Sequence, residues 1–158
     1  GLIMWRDDML EEGLVFLKKA VHLDNENEEY WASYAKVCGD LKLYKESISG
    51  YKKATKIAPE NSEYWIAYSE LLHEKGDTIK AIDILKKAGK VSDSSAHLNY
   101  RLTAYLLENK NDAEAAIRFE KALNIDFSGH SNLFDYYPEA QKMELIKSLI
   151  CQYQAGNV

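Results

Sequence analysis

One short pattern recurs along this chain at a constant interval of thirty-four positions. In each of its four copies a small residue is followed, four and seven positions later, by a bulky apolar residue and an alanine. Such positions share one face of an α-helix, so each copy predicts a helix that packs closely against another. The copies are Gly13, Leu17 and Ala20; Ser47, Tyr51 and Ala54; Ala81, Leu85 and Ala88; and Ala115, Phe119 and Ala122.

A second helical stripe precedes each of the last three copies. It begins at Trp31, recurs at Trp65 and is weaker from Asn99. Just before these stripes, at the same constant interval, stand three residue types that favour helix N-caps, namely Asn27, Asn61 and Ser95. The short breaks "GDLKL", "EKGDT" and "NKND" separate the two helices of each unit. Each unit is therefore predicted to be a helical hairpin.

The composition agrees with an all-α protein and excludes several functions. Of 158 residues, 46% are hydrophobic and 28% charged, with only 2 prolines and 8 glycines. A formal net charge of -5 argues against binding to nucleic acid or to an anionic membrane surface. We find no phosphate-binding loop, nucleophile motif or metal-ligand spacing, so the sequence predicts no enzyme, cofactor or metal.

The hairpins resemble tetratricopeptide repeats. Residues 28–61 match that family best, with Trp31, Ala35, Tyr51 and Ala54 in register. Residues 62–95 keep most of the pattern, and residues 96–127 are degenerate because Asn99 replaces the tryptophan. The resemblance implies an all-α, right-handed α-solenoid of antiparallel helix hairpins.

The two ends depart from the period. Residues 1–27 are predicted to hold a partial repeat, namely the tail of a first helix plus a second helix that starts near the capping residues Asp8 and Glu11. Residues 128–158 are predicted to form a C-terminal capping segment, in which Pro138 starts an amphipathic helix over the last repeat. We expect the chain to be the C-terminal piece of a longer repeat protein; the alternative is that "LIMW" is a natural short cap.

In the family, the first helices of the repeats line a concave groove. The resemblance therefore implies that a partner binds there, with Ile66, Tyr100 and Leu107 as apolar anchors. Among all lining positions, six residues are acidic and two are basic, so a basic or amphipathic segment is the expected ligand. The alternative is that the acids only keep the surface soluble. The predicted partner-binding residues are Ser33, Lys36, Glu63, Ile66, Glu70, His73, Glu74, His97, Tyr100, Arg101, Leu107 and Glu108.

The expected function is that of a non-catalytic protein–protein interaction module within a cytoplasmic adaptor or assembly scaffold. A second hypothesis is a self-associating structural element, with a possible homodimer through the N-terminal face around Met4, Trp5, Leu10 and Leu14. An enzyme would require a catalytic domain outside this sequence.

Overall fold

A computed structural model describes the backbone of residues 2–91 and 94–156, and the side chains from residue 8 onward within those ranges. The described residues form helices and turns and contain no strand. The chain divides into two compact units, Gly1–Asp77 and Thr78–Val158.

The described residues of the first unit form four α-helices, and each packs against the next along the chain. The contacts between the second and third helices are the most extensive, as a helical hairpin requires. The four helices are α1 (Leu2–Leu23), α2 (Glu28–Asp40), α3 (Tyr44–Ile57) and α4 (Ser62–Glu74).

In the second unit, residues 78–91 and 94–156 form five α-helices and two short 3₁₀ helices, Phe127–Ser131 and Pro138–Lys142. The central pair, α6 and α7, packs most extensively; α5 and α8 pack on α6, and α9 packs on α7. Pro138 begins a 3₁₀ helix, so the prediction that it starts the last α-helix is wrong; α9 begins six residues later. The helices are α5 (Thr78–Gly89), α6 (Ala96–Glu108), α7 (Asp112–Ile125), α8 (Asn132–Tyr136) and α9 (Glu144–Gly156).

The predicted N-caps are confirmed in both units. The side-chain oxygens of Asn27 and Ser95 accept hydrogen bonds of 3.1 Å from backbone amides three residues later. Asn61 accepts one of 3.1 Å from the amide two residues later. Each cap satisfies an amide of the first helical turn that has no partner within the helix, which fixes the start of α2, α4 and α6.

The turns after α2, α4 and α6 share one geometry. Lys42, Gly76 and Lys110, which are spaced by the repeat interval, have φ angles of 61°, 90° and 59°. In each turn, the amide N–H of this residue donates a hydrogen bond to the carbonyl three residues earlier. The amide N–H of the next residue donates to the carbonyl five residues before it. This pattern is a Schellman motif, which closes the end of a helix through one left-handed residue.

The first helix is continuous, so the prediction of a break near Asp8 is wrong. Asp8 lies one repeat interval before Lys42, yet it is helical. Residues 2–12 contain no glycine or proline and are rich in helix-forming leucine, methionine and glutamate.

The small residues of the repeat allow neighbouring helices to approach closely. Ser47, Ala54 and their equivalents in α5 and α7 are completely buried, and the Ser47 hydroxyl donates a 2.6 Å hydrogen bond to the carbonyl of Ala35. Gly50 lies at the tightest point, where an added Cβ would be 2.8 Å from the Cβ of Ala35 and 3.1 Å from the carbonyl oxygen of Trp31. This packing fixes the separation of α2 and α3.

Gly50→Ala is expected to lower the free energy of unfolding by about 1–2 kcal/mol, because overpacking exceeds the gain in helix propensity. Gly13→Ala is the matched control, since a Cβ there has no heavy atom within 4 Å. Within α1 it should raise the free energy of unfolding by about 0.5–1 kcal/mol. Urea unfolding measures both, and changes of the same sign would contradict the close approach at Gly50.

Candidate functional site

An opening of the first unit lies between α2 and α4, and Ser47 and Tyr51 of α3 also line it. One part has a volume of about 260 Å³, and an adjoining part has a volume of about 290 Å³. The two parts share Lys36, Tyr51 and Ala67, and together we call them the α2–α4 groove. The remaining lining residues are Gly39, Asp40, Ser47, Glu70, Leu71 and Glu74 in the first part and Ala32, Ser33, Glu63 and Tyr64 in the second.

Helical periodicity explains why these side chains meet. Lys36 and Asp40 are four residues apart on α2, and Ala67, Glu70 and Glu74 follow at i, i+3 and i+7 on α4. The structure thus brings together five of the predicted partner-binding residues, Ser33, Lys36, Glu63, Glu70 and Glu74. His73, half-buried, and Glu108, exposed, line neither part of the groove.

The three predicted apolar anchors are buried. Ile66 is 3% exposed, Tyr100 0% and Leu107 1%. The prediction that they offer free apolar surface to a partner is therefore wrong. They occupy positions that line the groove in the repeat pattern, but packing within this chain already removes them from solvent.

In the second unit, the chain's own C-terminal segment covers the positions that were expected to bind a partner. The Tyr100 hydroxyl donates a 2.5 Å hydrogen bond to the carbonyl of Asp126. The side chains of His97 and Tyr136 are hydrogen-bonded, and the Arg101 guanidinium lies 3.6 Å from the centre of the Tyr136 ring. Since α8 also packs on α6, these side chains serve internal packing, which corrects their assignment as an open surface.

The α2–α4 groove carries an excess of negative charge. Asp40, Glu70 and Glu74 line its first part together with one cation, Lys36. Neither Asp40 nor Glu74 forms an ion pair within the described part of the chain. Two carboxylates of the groove therefore have no cationic partner in the described structure.

Tyr51 forms the floor of this groove. It is 6% exposed, and its ring stacks on that of Tyr68 with the ring centres 5.9 Å apart. Burial, followed by the carboxylates of Glu70, Asp40 and Glu74, raises the pKa of Tyr51 to about 12. The hydroxyl is therefore neutral at physiological pH and faces a negative potential.

Sequence reasoning assigned Tyr51 to packing and missed its place in the groove. The repeat pattern puts a bulky residue there in every copy, and the equivalent Leu85 and Phe119 are completely buried. Only the hydroxyl distinguishes Tyr51 from these equivalents. A polar atom at an otherwise apolar signature position was the one available signal.

Helix pairs that recur at one constant interval, with caps and turns at equivalent positions, define a helical-repeat protein. Residues 28–61 match the family model of the tetratricopeptide repeat. The chain therefore contains a tetratricopeptide repeat and has the tetratricopeptide-repeat fold, which confirms the predicted resemblance and the all-α repeat architecture. This fold is typical of protein–protein interaction modules.

Solved structures show the same fold. The crystal structure of MamA has a TM-score of 0.70 and 19% identity, over 91% of this chain and 84% of that one. YrrB, described as a TPR protein with an unusual peptide-binding site, has a TM-score of 0.64 and 19% identity, over 96% and 79%. PilF of Pseudomonas aeruginosa has a TM-score of 0.64 and 22% identity, over 97% and 72%. At these identities the likeness establishes the fold alone.

No curated protein sequence matches the chain significantly. Within residues 8–91 and 94–156, no group of three or more histidine, cysteine, aspartate or glutamate side chains is arranged to hold a metal ion. None of the described helices is long and apolar enough to cross a membrane.

Proposed function

We propose that this chain is a non-catalytic interaction module that binds a basic or amphipathic segment of a partner protein in the α2–α4 groove. The observation that carries the proposal is the groove itself, an open cleft with acidic side chains on both α2 and α4. A cationic segment in this cleft meets complementary charge on two sides. Because the groove is formed by packed helices, little ordering is required on binding.

The position of the acids favours a binding role over a purely solubilising one. Asp40, Glu70 and Glu74 lie around one opening, which Tyr51 also lines. Ala67, which is only half-buried, lies beside them, so the groove also offers some apolar surface to an amphipathic segment. His97, Tyr100 and Arg101 are not part of this proposed site.

Selection of peptides from a random library of twelve-residue sequences, displayed on phage and applied to the immobilised chain, tests the proposal. We expect the recovered peptides to be net positive. Asp40→Lys/Glu74→Lys should weaken their binding at least tenfold, because two attractive charges become repulsive. Fluorescence anisotropy measures the affinities, and circular dichroism establishes that each variant is folded. Binding to the wild type should also weaken as salt is added.

Glu60→Lys/Asp83→Lys is the matched control, since both residues are exposed and line neither part of the groove. It changes the net charge equally and should retain nearly the wild-type affinity. Peptides without positive charge, or equal losses in both double variants, would show that the proposed groove is wrong.

Self-association is a second candidate function, favoured by a different observation. Met9, Phe16 and Leu23 are 55%, 70% and 86% exposed and recur every seven residues, so they form one apolar stripe on α1. The predicted residues differ from this stripe: Leu14 is buried, Leu10 is half-buried, and the side chains of Met4 and Trp5 fall outside the described residues. A prediction of open surface at Leu14 is wrong because α1 packs on α2 and buries it.

The stripe is compatible with a two-fold pair. A two-fold axis through Phe16 would bring Met9 of one copy opposite Leu23 of the other, so a single patch complements itself. We propose that α1 pairs with a second copy in this antiparallel arrangement. Sedimentation velocity from low to high micromolar concentration should then show a growing dimer fraction in the wild type but not in Phe16→Glu. Ile117→Glu, at a 63% exposed position on α7, is the control; a wild type that stays monomeric contradicts the pairing.

A further inference from the structure

Tyr51 combines deep burial with an unpartnered hydroxyl. The residue is 6% exposed, and its side chain forms no hydrogen bond with any residue that the structure describes. The hydroxyl is not one of the fully buried side-chain atoms, so it is accessible from the groove and can hydrogen-bond to a ligand. Because Tyr51 lines both parts of the α2–α4 groove, a molecule in the groove has access to it.

The surroundings of this hydroxyl define what it can bind. Asp40 approaches from α2, and Glu70 and Glu74 approach from α4. An anion placed above Tyr51 would be repelled by three carboxylates, whereas a cation would be attracted. Lys36 is the single cation that lines this part of the groove, so negative charge prevails there.

The opening also has room for a side chain. Its volume of about 260 Å³ is more than ten times the roughly 10–15 Å³ that one water molecule requires by the same measure. The phenol oxygen can accept a hydrogen bond at the base of the opening, and the carboxylates can accept hydrogen bonds along its sides. The lining therefore offers several acceptors around a small volume, beside the cation Lys36.

We propose that Tyr51, Asp40 and Glu74 form a socket for one cationic side chain of the bound segment, with arginine preferred over lysine. The planar guanidinium carries five N–H donors, so it can reach the phenol oxygen and both carboxylates at once. Lysine offers three donors from a single nitrogen and satisfies fewer of these acceptors. This inference rests on the proposed function, because it specifies the residue that the groove recognises.

A double-mutant cycle on the phage-selected peptides tests the socket. Each arginine of the tightest peptide is replaced in turn by citrulline, which has nearly the same shape but no charge. Each peptide is titrated into wild type, Tyr51→Phe and Asp40→Asn/Glu74→Gln. We expect one citrulline replacement to weaken binding to the wild type at least tenfold. With Asp40→Asn/Glu74→Gln, the same replacement should lower the affinity less than threefold, because this variant already lacks the interaction between the arginine and the two carboxylates.

Tyr51→Phe removes the hydroxyl and keeps the ring. It should lower the affinity for the arginine peptide by about tenfold, which is typical of a lost hydrogen bond to a charged group. The affinity for the citrulline peptide should be nearly unchanged. Tyr30→Phe is the matched control, because Tyr30 is an exposed tyrosine of α2 that lines neither part of the groove. It should change neither affinity more than twofold.

The outcomes distinguish a failure of the proposed socket from a failure of the proposed binding groove. Suppose that peptides bind and that Asp40→Lys/Glu74→Lys weakens their binding, but no citrulline replacement lowers the affinity more than threefold. The socket is then wrong, and the proposed groove stands. The socket is also wrong if the citrulline penalty is the same on the wild type and the variants. If no peptide binds in a manner that depends on Asp40 and Glu74, the proposed function and the socket both fail.

Discussion

Tyr100→Ala is expected to lower the free energy of unfolding by about 3–5 kcal/mol, as large-to-small changes in a packed core do. Tyr100 is 0% exposed, and its ring meets that of Phe119 edge-to-face with the ring centres 6.0 Å apart. Its hydroxyl also donates to the carbonyl of Asp126, where the chain leaves α7 for the C-terminal segment. The substitution therefore removes packing between α6 and α7 and one connection to that segment.

Urea unfolding followed by circular dichroism measures the loss. Tyr100→Phe should cost only about 1 kcal/mol, because it removes the hydrogen bond and keeps the ring. Tyr30→Ala is the control for an exposed tyrosine, and it should change the stability by no more than about 0.5 kcal/mol. If Tyr100→Ala were as stable as the wild type, the C-terminal segment would not cover this residue in solution.

Loss of stability at alkaline pH is the second large effect that we expect. The pKa of Tyr51 is raised to about 12 by burial and by the nearby carboxylates, whereas a tyrosine in an unfolded chain has a pKa of about 10. The unfolded chain therefore releases the proton first. The stabilising contribution of the neutral phenol is complete below about pH 10 and is lost as the pH rises toward about 12.

For Tyr51 alone, this loss amounts to about 1.4 kcal/mol per pH unit, or about 2.7 kcal/mol over the window. Burial also raises the pKa of Tyr100. The total loss in the free energy of unfolding of the wild type should therefore exceed the part that comes from Tyr51. Urea unfolding at about pH 9 and about pH 11.5 measures the loss, and Tyr51→Phe should lose about 2 kcal/mol less than the wild type. Equal losses would show that Tyr51 ionises as readily in the folded chain as in the unfolded one.

The features that sequence reasoning predicted correctly depend on local interactions. Asn27, Asn61 and Ser95 cap helices through amides two or three residues away. The buried Ala54, Ala88 and Ala122 lie on helical faces that their spacing alone defines. The failed prediction at Asp8 was also local in form, but residues 2–12 contain no glycine or proline, and α1 is continuous there.

The candidate site was only partly predictable for a related reason. Lys36, Glu63, Glu70 and Glu74 could be assigned to the groove because the repeat pattern orients α2 and α4. Tyr100 follows the same pattern, but the segment after the repeats covers it, since a Cβ added at Gly129 would lie 3.3 Å from its ring. The pattern describes the positions of a repeat and carries no information about what packs over them.

By itself, the sequence determined the regularly spaced helical hairpins, their caps and the acidic character of the first-helix surface. Each of these follows from residue type and from spacing within one or two helical turns. Tertiary structure alone decided which of those positions stay open. His97 is paired with Tyr136, 39 residues away. The Tyr51 hydroxyl lies among carboxylates from two helices and forms no hydrogen bond with any described residue. The physical reason is that burial depends on packing between segments distant in sequence, whereas helix formation and capping depend on neighbours.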